Sequence, residues 1–116
     1  MKGPWEDLYG YRRVIRSGNR VITSGCTAPG ATAADQARAA FEIAVNALAT
    51  EGATARDVIR TRMYVTDRAD ADAVGRVHAS FFAEARPVAT LVVVAGLLEQ
   101  AMLVEVEVEA ESEVRT

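Results

Sequence analysis

Between Arg86 and Ala110 the chain reads RPVATLVVVAGLLEQAMLVEVEVEA, two apolar runs (Ala89–Ala95 and Met102–Ala110) around a short connector. The second run alternates strictly: Val104, Val106 and Val108 fall on one side, Glu105, Glu107 and Glu109 on the other. That is the two-residue period of a strand. The valines are expected to meet a helical layer and the carboxylates to line the opposite face. On alternation alone, three glutamates on one face are solvated.

The remaining pattern supplies the other elements. Met1–Gly10 reads as an irregular lead-in. Tyr11–Ser17 and Arg20–Cys26 are strands joined by Gly18-Asn19, a hairpin signal because primed turns need positive φ. Thr32 is placed to cap a helix in which Ala37, Ala40, Phe41, Ala44, Val45 and Leu48 share a face, ended by Glu51-Gly52. Val58–Thr66 is a strand with Ile59, Thr61, Met63 and Val65 on one face and Arg60, Arg62 and Tyr64 on the other. Asp67 caps a second helix over Ala69–Ala85, stopped by Arg86-Pro87. The order β-β-α-β-α-β-β predicts an α+β fold, a mixed β-sheet with two helices on one face, in a single domain over residues 1–116.

Composition narrows the function classes. A net charge of −3 argues against nucleic acid as the main partner. Arg12, Arg13, Arg16 and Arg20 fall on both faces at strand spacing and read as solvated charge. One cysteine excludes an internal disulfide and a cysteine-rich metal site, and one histidine excludes a His-pair metal site. No run reaches membrane-spanning length and no signal peptide opens the chain, so the expected location is cytoplasmic, with no membrane partner.

Several pieces in this order resemble the RidA family (YjgF/YER057c-like, L-PSP endoribonuclease-like). They are Gly10-Tyr11-Arg12, SGNRVITSG at Ser17–Gly25, LATEGA closing the first helix, RTRMYVTD at Arg60–Asp67, FFAEARP at Phe81–Pro87 and MLVEVEVEA at Met102–Ala110. The resemblance implies a chorismate-mutase-like fold, a homotrimer with inter-subunit clefts, and hydrolysis of reactive enamines or imines to ammonia and a 2-keto acid. It implies neither metal nor organic cofactor. Carried over, Tyr11 matches an aromatic lining position, Ser24-Gly25 borders the cleft, and Glu105 matches the carboxylate that works on the hydrolytic water. One departure stands out. Deaminating members carry an arginine two residues after the proline, where this chain has Pro87-Val88-Ala89-Thr90. Ala89 offers no guanidinium to grip a substrate carboxylate.

Two readings follow. In the first, the chain is an enamine- or imine-hydrolysing enzyme whose substrate is altered because Ala89 replaces the clamp. In the second, it is a non-catalytic member that binds a small molecule or a partner in the same cleft. Glu105 is the candidate catalytic residue; Tyr11, Ser24, Gly25, Cys26, Arg62, Ala89 and Thr90 are the candidate substrate-binding set. Arg62 can take over the clamp or pair with Glu105, Glu107 or Glu109. Cys26 is either a cleft-edge thiol lowered by Arg12 or Arg62, or an inert buried one. His78 is expected at the core edge with one ring nitrogen satisfied, and Trp5 and Phe82 are expected in the core, a pocket wall being the alternative for both. A ribonuclease reading is disfavoured by the acidic balance and the lack of a His pair.

Overall fold

The computed structural model describes residues 3–114. Its elements are α1 (Pro4–Tyr9), β1 (Val14–Ser17), β2 (Arg20–Thr23), α2 (Ala33–Thr50), β3 (Val58–Val65), α3 (Ala71–Phe82), β4 (Val88–Val93) and β5 (Val104–Glu111). The strands form one mixed sheet in the order β1-β2-β5-β3-β4, antiparallel except for the parallel β3–β4 pair. The alternation in β5 is realised: Val104, Val106, Val108 and Ala110 are buried, while the intervening glutamates face away from the helices.

Helix α2 forms because Thr32 Oγ1 accepts the Asp35 N–H at 3.1 Å, satisfying one of the donors a helix start leaves open. It ends where Gly52 takes a φ of +81°, which a side chain would resist. Its inner face is small, with Ala33, Ala37, Ala40 and Ala44 buried, so the helix lies close on the β5 valines. Phe41 fills the remaining space against Phe81, Phe82 and the His78 ring, with centroids 5.4–5.7 Å apart. His78 sits as expected, one ring nitrogen 2.8 Å from Thr61 Oγ1, and burial pushes its pKa down.

Four expectations are corrected. The lead-in is helical over Pro4–Tyr9, because Pro4 stands at the first turn and the buried Glu6 carboxylate accepts the Gly3 and Arg13 N–H groups at 2.7 and 3.2 Å. Ile59 leaves the core, since the β3–β5 register shifts between Val58 and Arg60 and Val58 takes the inward place. Trp5 is not a core residue; it is half-buried and stacks near Tyr9, 5.6 Å between centroids. Strand β2 also ends at Thr23, three residues early, although Cys26 still bridges Val106. Among the described residues no helix is long and apolar enough to cross a membrane.

Candidate functional site

On the sheet face away from α2 and α3, charged side chains of β3 and β5 meet in register. Arg62 opposes Glu107 and Tyr64 opposes Glu105. Arg62 Nη1 and the Tyr64 hydroxyl both donate to Glu107 Oε1, each at 3.2 Å, and Arg20 pairs with Glu109. Glu105 is the exception: among the described residues its carboxyl has no hydrogen-bond or ion-pair partner. Burial and the nearby Glu107 charge raise its pKa above the ordinary carboxylate value.

The space over Glu105 exists because residue 25 is glycine. A Cβ built on Gly25 would lie 1.9 Å from Glu105 Oε2, far inside contact distance. The carboxyl therefore occupies the volume a side chain would take. Around it opens a cavity of about 190 Å³, walled by Trp5, Tyr9, Tyr11, Arg13, Thr27, Leu97, Leu98, Glu99 and Met102 with Gly25 and Glu105. Two buried polar residues hold these walls. Glu6 anchors α1, and so Trp5 and Tyr9, through the contacts above. Gln36 fixes the connector before β5, accepting the Leu103 N–H at 2.8 Å and donating to the Gly30 and Ala101 carbonyls at 3.1 and 3.2 Å.

The sequence-derived set divides. Glu105, Gly25 and Tyr11 are brought together in this cavity. Ser24 does not line it; its hydroxyl donates to the Arg13 carbonyl at 3.4 Å. Arg62 is committed to Glu107, the pairing foreseen as the alternative to a clamp. Ala89 and Thr90 lie exposed on the edge strand β4, with β3 between them and β5. Ala89 is in register with Thr61, Thr90 with Arg62, so the two point to opposite faces.

Cys26 is fully buried, and its cation neighbour is Arg13, not Arg12 or Arg62. Arg13 Nη1 approaches the sulfur at 3.4 Å. Burial still pushes the thiol up, with Arg13 pulling partly back and Glu105 adding a smaller upward push. The native chain should therefore resist a thiol reagent near neutral pH, and the denatured chain should label fully. Rapid stoichiometric labelling of the native protein would show the sulfur to be reachable.

Sequence reasoning missed Arg13 and the connector residues Leu97, Leu98 and Met102, and offered Trp5 as a pocket wall only as the alternative to core packing. Alternation could not have found Arg13, because β1 begins only at Val14 and a strand period says nothing about the residues before it.

Comparison with known proteins agrees with this architecture. The family profile described as Endoribonuclease L-PSP matches residues 6–112. An uncharacterized protein of Streptomyces coelicolor, SCO2049, is 42% identical over 114 residues, covering 92% of this chain and 85% of its own length. The crystal structure of Rv2704 from Mycobacterium tuberculosis, a member of the YjgF/YER057c/UK114 family, superposes with a TM-score of 0.91 at 41% identity, covering 94% of this chain and 92% of that one. The YjgF gene product of E. coli superposes with a TM-score of 0.80 at 27% identity, covering 87% of each chain. The chain belongs to the Endoribonuclease L-PSP family, the YjgF/YER057c group that the order of its sequence pieces resembles.

Proposed function

We propose that this protein hydrolyses a reactive enamine- or imine-type small molecule in clefts between the subunits of a homotrimer, with Glu105 acting on the water. The observation that carries the reading is the half-buried Glu105 carboxyl, unpartnered among the described residues and set over Gly25 in a walled cavity. Water adds across the C=N bond: its oxygen bonds to carbon, one proton passes to Glu105, and a proton is returned to nitrogen. The carbinolamine then breaks its C–N bond, giving a carbonyl compound and ammonia. A carboxyl with a raised pKa suits both directions of that proton exchange.

Ammonia release from freshly generated 2-iminoacids and from imines without a carboxylate tests the reading. Release from either group supports hydrolysis. Silence on both favours the second reading, a non-catalytic binder, which the alanine at position 89 motivates.

The homotrimer is supported by what strand β4 leaves uncovered: Val88, Val92 and Val93 are 62%, 41% and 48% exposed. A trimer with sheets inward and helices outward would cover them and carry Ala89 and Thr90 to a neighbouring Glu105 cavity. Sedimentation at micromolar concentration should give three times the 12.4 kDa chain mass; a monomer would overturn the assembly.

Ala89→Arg should then raise turnover of 2-iminocarboxylates. A charge-assisted bidentate contact contributes about 1.5–3 kcal/mol, or about one to two orders of magnitude in kcat/KM. Unchanged turnover on these acids would remove Ala89 from the cleft.

A further inference from the structure

The cavity beside Glu105 holds a second charged group that the proposed hydrolysis does not use. Arg13 reaches the cavity wall with its guanidinium only lightly engaged. Nη1 makes two long contacts, 3.4 Å to the Gly25 carbonyl and 3.4 Å to the Cys26 sulfur. Among the described residues Nε and Nη2 donate to nothing. Guanidinium and Glu105 carboxyl both lie against Gly25, line the same cavity and make no ion pair with each other.

An arginine with open donors in a half-enclosed site is a planar anion receptor, and a carboxylate matches its fork of N–H groups. The third charge of the cavity, Glu99, is exposed on the connector. Apart from Thr27 and Gly25, the remaining walls are apolar or aromatic: Trp5, Tyr9, Tyr11, Leu97, Leu98 and Met102. Such a cavity fits a molecule with an anionic end, a nitrogen or carbonyl carbon beside it, and an apolar arm.

Resting on the reading of Glu105 as the residue that acts on the reacting carbon, we propose that Arg13 is the anion-binding residue of this cavity. It selects small carboxylates with a bulky apolar arm and holds the carboxylate so that the adjacent carbon faces Glu105. Arg13 thus supplies from within the protomer the cation that position 89 does not.

Phenylpyruvate and phenylacetone test this directly, because they differ in carrying a carboxylate or a methyl group beside the same carbonyl and arm. Titration calorimetry on the natural protein should show phenylpyruvate binding about tenfold or more tighter than phenylacetone. Arg13→Gln should erase that preference, and Arg13→Lys should keep part of it. Equal affinity for both compounds in the natural protein overturns the proposal without any variant. So does an Arg13→Gln protein that melts normally and still prefers phenylpyruvate. Binding is read without turnover, so the two readings fail separately. Arg13-dependent binding with no ammonia release from any imine removes the hydrolysis and leaves the anchor. Hydrolysis of uncharged imines, with no preference for phenylpyruvate, removes the anchor and leaves the hydrolysis.

Discussion

Glu105→Gln is expected to lower imine hydrolysis by about 100-fold or more, the range typical of losing a positioned acid–base group. The substitution keeps the side chain's shape over Gly25 and removes its proton exchange. It also makes a stability prediction of opposite sign. Burial and Glu107 disfavour ionised Glu105 in the folded chain, so its folded pKa lies above its unfolded one. The carboxyl therefore costs stability once pH has risen through the folded value, and that cost is absent below the unfolded value. At neutral pH the glutamine variant should melt at the natural temperature or higher. A variant that loses stability would make Glu105 a structural residue, and a stable variant with full turnover would remove it from the chemistry. In the natural protein, hydrolysis that needs the ionised form should rise with pH along a limb displaced above the ordinary carboxylate range.

The largest loss of stability is expected at Phe41. Its ring is fully buried and touches His78, Phe81 and Phe82, joining α2 to α3. Phe41→Ala removes the transfer energy of the ring and leaves a void that the alanine-lined interface cannot close, for a cost of about 3–5 kcal/mol. Against the total of about 5–15 kcal/mol usual for a domain, that leaves the fold marginal. Urea unfolding should show the midpoint falling with little change in slope. A loss below about 1 kcal/mol would mean that the aromatic cluster is loosely packed.

Much of the fold was legible because its longest elements have one apolar face each. The β5 alternation and the α2 periodicity placed their core residues, and the Thr32 cap formed where its spacing put it. Helix α1 escaped because its six residues make fewer than two turns, and its stability comes from contacts that Glu6 makes with Gly3 and Arg13. Ile59 was misplaced because a bulge breaks the two-residue rule without marking the sequence. The four arginines near the N-terminus read as one solvated cluster, yet they take separate places. Arg12 is exposed, Arg13 lines the cavity and Arg20 pairs with Glu109. Arg16 Nη1 donates to the Ser112 carbonyl at 2.6 Å and Arg16 Nε to that of Glu51 at 3.2 Å, tying the hairpin to the ends of β5 and α2. Charge patterning cannot separate such roles, since each depends on which carbonyl or carboxylate the fold delivers. Of the residues that line the cavity, Glu105, Gly25 and Tyr11 were named through the family resemblance and Trp5 as an alternative to core packing, whereas Tyr9 and the connector residues were not.

Gly25 changes what a mutational scan of this cavity would measure. At every other wall position alanine removes atoms or replaces a hydrogen-bonding group, but at residue 25 it adds one carbon, aimed at the Glu105 carboxyl. The added methyl acts as a tethered blocker, and a series through alanine, serine and valine becomes a graded wedge against a single side chain. Because the obstructing atoms would be the far end of Glu105, that side chain can swing aside while the sheet stays in place. Such a series should divorce turnover from melting temperature: the first falls with each added atom while the second barely moves.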